Sequence, residues 1–141
     1  MDEGDVTKED YEIAVFTGID ENEYGKAFLW ADKGITKFPG DDRLIAMRGW
    51  ISQLRGDDDA AVKDLAAAME LNRRNPIALV RFGILYMGKN EYTLARSYLE
   101  AAMEADSSGT FGDDAKKALE TLTEKEAVAG SGSSATGSKN P

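Results

Sequence analysis

The chain has no cysteine and no histidine. That removes thiolate nucleophiles, imidazole bases, disulfides, and the zinc or copper sites that need those ligands. Carboxylates are the main chemical resource left, and three groupings stand out. Glu9 and Glu12 lie one helical turn apart, but no partner gives them a recognisable general acid and base arrangement. Asp41-Asp42 and Asp57-Asp58-Asp59 invite calcium, yet they lack the alternating ligands, central glycine and distal glutamate of a calcium loop. Each run instead stands where a helix opens, and acids favour that end of the dipole. Gly109-Thr110-Phe111-Gly112 has the glycines of a phosphate loop, but no Lys-Ser or Lys-Thr follows in the required place. On these residues a protein that is not an enzyme and takes no cofactor or metal is expected.

The elements that would position these side chains follow from a period. Asn22-Glu23-Tyr24, Gly56-Asp57-Asp58 and Asn90-Glu91-Tyr92 recur every 34 residues, each followed three residues later by an alanine, Ala27, Ala61 or Ala95. A fixed spacing of this size means one supersecondary unit repeated and stacked, each copy burying its apolar face against its neighbours. Residues 1–7 form a lead-in, and 8–41, 42–75 and 76–109 are the three units. In the third, Asn75 before Pro76 caps a helix start. Leu79, Phe82, Gly83 and Tyr86 then fall on one helical face. Gly88-Lys89-Asn90 breaks that helix, and a second from about Tyr92 carries Ala95, Leu99, Ala102 and Met103. Two short antiparallel helices per unit are expected.

After the units, Asp113 or Asp114 is expected to open a terminal helix within 110–128. Its apolar face, Ala115, Ala118, Leu119 and Leu122, is expected to cover the end of the stack, with its charged face turned to water. Residues 129–141 are read as a flexible tail or linker.

On these residues the chain resembles the tetratricopeptide-repeat proteins. Leu79, Phe82, Gly83, Tyr86, Ala95, Leu99 and Ala102 fill the family's pattern in the third unit. Ile45, Gly49, Ala61, Leu65 and Ala68 follow it in the second, and Tyr11, Ala27, Ala31, Gly34 and Pro39 in the first. The resemblance implies an all-α fold: an α-solenoid of three helix-turn-helix repeats plus a C-terminal capping helix. The second unit departs from the pattern, with Arg48 where the family has leucine and Ser52 where it has a large apolar residue. Either its first helix is rotated to pack through Met47, Ile51 and Leu54, or Arg48 is paired with a carboxylate.

The resemblance also implies a function, a non-catalytic adaptor or chaperone-like module that holds a partner's peptide or helix in its concave groove. Phe16, Trp50 and Ile84 form an apolar ladder at the family's groove positions, flanked by Glu12, Arg43, Met47, Ile77, Val80, Arg81 and Met87. The carboxylate clamp with which some members grip the acidic C-terminus of heat-shock chaperones maps onto Glu12, Phe16, Met47, Ile77 and Arg81, where only the arginine agrees. That use is disfavoured. Acids near Glu12 set against Arg43, Arg81 and Arg48 would orient a ligand. A self-assembling oligomeric scaffold is the alternative.

Bulk composition is consistent with one domain of 141 residues and net charge −9, which works against nucleic acid and anionic membrane surfaces and suits an apolar or basic partner segment. The acidic start lacks the pattern of a secretory signal, and no apolar run reaches membrane-span length. A cytoplasmic setting is expected, with a periplasmic or membrane-attached one as the alternative if a leader has been removed.

Overall fold

The computed structural model describes residues 5–138, with side-chain surroundings through residue 130. Within them the chain forms helices α1 (Lys8–Asp20), α2 (Tyr24–Lys37), α3 (Asp42–Leu54), α4 (Asp58–Leu71), α5 (Pro76–Gly88), α6 (Tyr92–Ala105) and α7 (Thr110–Ser138). The first helix of each pair, and α7 after them, starts in 34-residue register, at Lys8, Asp42, Pro76 and Thr110. No described residue is in a strand.

The register comes from local chemistry repeated at the same places. Thr7, Asp41 and Asn75 are the N-caps of α1, α3 and α5, each side chain accepting a hydrogen bond from a first-turn N–H. Such a cap satisfies one of the donors a helix start leaves unpaired. The turn inside each hairpin uses Asn22, Gly56 and Asn90 at φ of 61°, 82° and 62°. Only glycine and asparagine adopt that left-handed conformation at low cost. In the first and third hairpins the following tyrosine donates to the turn, Tyr24 Oη to Asn22 Oδ1 at 2.9 Å and Tyr92 Oη to Asn90 Oδ1 at 3.0 Å.

The helices pack into one continuous core. Ala27, Ala31, Ala61, Ala68, Ala95 and Ala102 are fully buried, as are Leu44, Leu65 and Leu99, and those leucines lie against Gly34, Gly49 and Gly83. A side chain on Gly83 would meet Leu99 Cδ2 at 2.4 Å, which is the reason that position is glycine. No helix among the described residues is long and apolar enough to cross a membrane.

The second unit resolves its two alternatives together. Met47 and Ile51 pack in the core while Leu54 stays exposed. Arg48 is paired on both sides, donating through Nε and Nη2 to Asp64 on α4 at 2.8 and 2.9 Å and through Nη1 to Asp32 on α2 at 2.9 Å. Both acids lie 16 residues away, and burial of the salt bridge is partial. One repeat later the same two positions are Phe82 and Tyr98, whose rings stack at 5.3 Å. An ion pair in one repeat thus occupies the place of an aromatic pair in the next. Arg48 therefore belongs to the packing between helices, and its expected part in the polarity of the groove is corrected. Arg48→Ala, which leaves the Asp64 carboxylate unpaired, is expected to lower stability by about 2 kcal/mol, between the values for exposed and buried pairs. The double variant Arg48→Phe, Asp64→Tyr copies the third repeat and should regain most of that loss. A denaturant titration in which the double variant is no more stable than Arg48→Ala would contradict the equivalence.

Helix α7 opens at Thr110, earlier than the expected start at Asp113 or Asp114, because Asp106 caps it from outside. The Phe111 and Gly112 N–H groups donate to Asp106 Oδ2 at 3.0 and 3.4 Å. The N–H donors of the Gly109–Gly112 segment therefore hold the chain's own carboxylate. Ala115, Ala118 and Leu122 are buried as expected, and Arg96 of α6 ties the helix down through Thr123 and Glu126. The helical backbone continues to Ser138, through most of what the sequence reading gives to a flexible tail. No proline interrupts the i→i−4 ladder before Pro141, so the helix has no forced stop there. Residues 139–141 lie outside the described residues.

Candidate partner-binding groove

The first helices α1, α3, α5 and α7 form one row. Helix axes in contact stand about 8–10 Å apart, so a flat row of four would separate its ends by roughly 25 Å. Instead, Phe16 on α1 and Phe111 on α7 have ring centroids 6.3 Å apart. The row therefore bends inward, and the side chains on its inner wall converge.

At the centre of that wall is a cluster of three rings. Trp50 lies 6.0 Å from Phe16 and 6.0 Å from Phe111, and all three pairs are edge-to-face, the arrangement aromatic quadrupoles favour. Two guanidinium groups complete it, Arg43 at 5.8 Å from the Phe111 ring and Arg81 at 4.7 Å from the Trp50 ring. Burial pushes the Arg81 guanidinium down to about 10, with Asp114 partly offsetting it, and Arg81 makes no ion pair among the described residues. Arg81, Ile84 and Met87 of α5 face Asp114, Lys117 and Ala118 of α7 across an open cleft.

The ten residues expected to bind a partner thus divide. Phe16, Trp50 and Arg81 meet on the inner wall, and Ile84 lines the cleft beside Arg81. Glu12 and Arg43 join across it as an ion pair at 3.5 Å. Met47, Ile77 and Val80 are fully buried, so they shape the wall from behind and present no surface of their own, while Met87, nearly buried, keeps an edge on the cleft. Trp50, only 9% exposed, is covered as well. The residue the sequence reading missed here is Phe111. It stands 34 residues after Ile77 and 68 after Arg43, so one more 34-residue step from that pair of flanking positions leads to it.

Polar groups inside the cluster are incompletely paired. Trp50 Nε1, Gln53 Oε1 and Asp41 Oδ2 are buried without a hydrogen-bond partner, while Gln53 Nε2 donates to the Arg81 carbonyl at 3.1 Å. Burial, reinforced by the neighbouring Asp41 carboxylate and only partly offset by Arg43, pushes the Glu12 carboxyl up to about 7. Protonated Glu12 is the group able to donate to Asp41. A carboxyl raised in the folded state stabilises that state fully below its unfolded value near 4.5 and loses the contribution as pH rises through about 7. The melting temperature is therefore expected to fall between pH 5 and pH 8, through a contribution on the order of 1 kcal/mol after solvent screening. Glu12→Gln should flatten that slope, and an unchanged slope would show that Glu12 is not its source.

The class these features define is an α-solenoid of paired helices, and the chain has the tetratricopeptide-repeat fold. Particular relatives agree. No protein-family model matches. A curated relative, the TPR repeat-containing protein MJ1428 of Methanocaldococcus jannaschii, is 32% identical over 82 residues, which is 58% of this chain and 14% of that protein. The chain thus spans only a small part of that relative's length. Among solved structures, the Sgt2 TPR domain from Aspergillus fumigatus superposes with a TM-score of 0.72 at 21% identity, covering 89% of this chain and 83% of that one. The Yersinia enterocolitica type III secretion chaperone SycD in complex with a peptide of the translocator YopD gives a TM-score of 0.64 at 18% identity, with 84% and 93% covered. The first TPR of Spaghetti (RPAP3) bound to the HSP90 peptide SRMEEVD gives 0.66 at 18%, with 85% and 93% covered.

Proposed function

We propose that this chain is a non-catalytic protein-interaction module that holds a peptide or helix of a partner protein against the inner wall of its solenoid. The observation that carries this reading is the convergence of Phe16, Trp50 and Arg81 on one curved surface. Rings and guanidinium groups at the centre of a contact surface are the residues that most often dominate binding energy. The SycD and RPAP3 structures, both peptide complexes, support the same use of the fold. The ligand class differs from that of the RPAP3 complex, because Met47 and Ile77 stand at two of the clamp positions and Arg81 is the one match. An apolar segment suits this wall better than an acidic terminus.

Selection from a displayed random-peptide library with the whole chain as bait should yield binders that lose at least tenfold in affinity on Trp50→Ala, the effect of removing a central anchor of about 1.4 kcal/mol or more. Binders indifferent to Trp50 and to Arg81→Ala would remove the groove from the function. In that case the self-assembling scaffold, read by sedimentation of the isolated chain, becomes the account to test.

A further inference from the structure

The ring in the middle of the candidate groove belongs to the chain itself. Phe111 is 7% exposed, and its neighbours are Phe16, Trp50 and the Arg43 guanidinium. It reaches them from the first turn of α7, in the groove register of Arg43 and Ile77. Its anchorage is local: Asp106 Oδ2 holds the Phe111 and Gly112 N–H groups, and the Asp106 carbonyl lies where a Cβ on residue 112 would stand.

With Phe111 seated, the cluster is closed yet not fully satisfied. Trp50 is about nine-tenths buried and its Nε1–H has no acceptor. The Gln53 Oε1 atom, one turn further along α3, has no donor. Buried groups left in this state are unfavourable, and the polar atoms of a bound peptide backbone, one C=O and one N–H, are what would pair them. Two aromatic faces and a guanidinium select for a ring, whereas an aliphatic side chain would leave the cation–π contact unused.

Resting on the peptide-binding reading above, we propose that Phe111 is a stand-in for a ligand side chain: the partner is a segment carrying an exposed aromatic residue, which displaces Phe111 from between Phe16, Trp50 and Arg43 and pairs Trp50 Nε1 and Gln53 Oε1 through its own backbone. The net charge of −9 is compatible with basic residues elsewhere in that segment, but its central anchor is a ring.

The probe is a synthetic peptide copying residues 106–119 of this chain, added in trans to the full chain in a Trp30→Phe background so that Trp50 is the sole tryptophan reporter. Phe111→Ala should raise acrylamide quenching of Trp50 several-fold and bind the peptide at least tenfold more tightly than the parent does. The same peptide with alanine for its phenylalanine should bind at least tenfold more weakly, and adding Trp50→Ala to the protein should abolish capture. A circular-dichroism melt checks that Phe111→Ala keeps its helices, and Phe111→Leu provides a better-folded second variant with the ring absent. Equal binding to the parent and to both variants, or a phenylalanine-free peptide that binds as well, would overturn the proposal. So would a Trp50 as protected in the variants as in the parent. A stable dimer in sedimentation, formed by exchange of α7, would assign the site to a second copy and overturn the partner segment. If library-selected peptides still depend on Trp50 while these results fail, the groove stands and only the role of Phe111 is lost.

Discussion

Replacing Asn75 by alanine is expected to destabilise the fold by about 3 kcal/mol, a drop of roughly 10 °C in melting temperature for a chain of this size. Asn75 is fully buried and every polar atom of its side chain is used. Its Oδ1 accepts from the Ala78 N–H at 3.0 Å, capping α5, and its Nδ2 donates to the Asp42 carbonyl at 3.1 Å and to Asp42 Oδ2 at 2.8 Å. Losing the cap accounts for about 1 kcal/mol. The rest comes from leaving the α5 start and the Asp42 carbonyl short of a partner, about 1–3 kcal/mol, while Asp42 Oδ2 keeps the Asn72 Nδ2 donor at 3.1 Å. Asn75→Asp separates the two contributions, since it retains the acceptor for Ala78 but sets a carboxylate against Asp42. It should therefore also be destabilised at neutral pH. A loss under about 1 kcal/mol in Asn75→Ala would mean that the bridge between α3 and α5 contributes nothing beyond the cap.

Gly112→Ala is the second large effect, and it acts on the groove. A Cβ there would lie 1.8 Å from the Asp106 carbonyl oxygen. That contact is backbone, so no rotamer change relieves it and the start of α7 must move. The expected loss is at the upper end of overpacking effects, about 3 kcal/mol. The same displacement breaks the hydrogen bonds from Phe111 and Gly112 to Asp106 and withdraws the Phe111 ring from Trp50. Gly25→Ala is the matched control, because a side chain inside α2 at that position meets nothing within 4 Å. It should be neutral or stabilising by up to about 1 kcal/mol. Thermal melts and Trp50 quenching of both variants check this. A Gly112→Ala chain as stable as the Gly25→Ala chain would show that α7 is free to shift without loss.

The repeat was legible because it is written in local chemistry. Helix starts at Asp41 and Asn75, left-handed turns at Asn22, Gly56 and Asn90, and small residues at each close approach all follow from backbone sterics and capping. These need no knowledge of distant neighbours, and they carry the all-α solenoid unaided. The ladder of Phe16, Trp50 and Ile84 was legible for the same reason, as a period of 34 residues.

What a period cannot convey is how far the row of helices bends, since curvature is the sum of many side-chain contacts between successive hairpins. That bend brings Phe111 within 6.3 Å of Phe16, across 95 residues of chain. It turns an apparently open groove into one closed by the protein's own ring. It also settles whether a residue such as Met47 or Ile77 faces a ligand or the core. The pairing of Arg48 with Asp32 and Asp64 lies between these extremes. Its 16-residue offsets are visible along the chain, but the geometry that makes a bidentate bridge exists only once α2, α3 and α4 are packed together. Backbone preference and spacing were enough for the scaffold, and which side chains stand open on it depended on packing over distances that no local rule reaches.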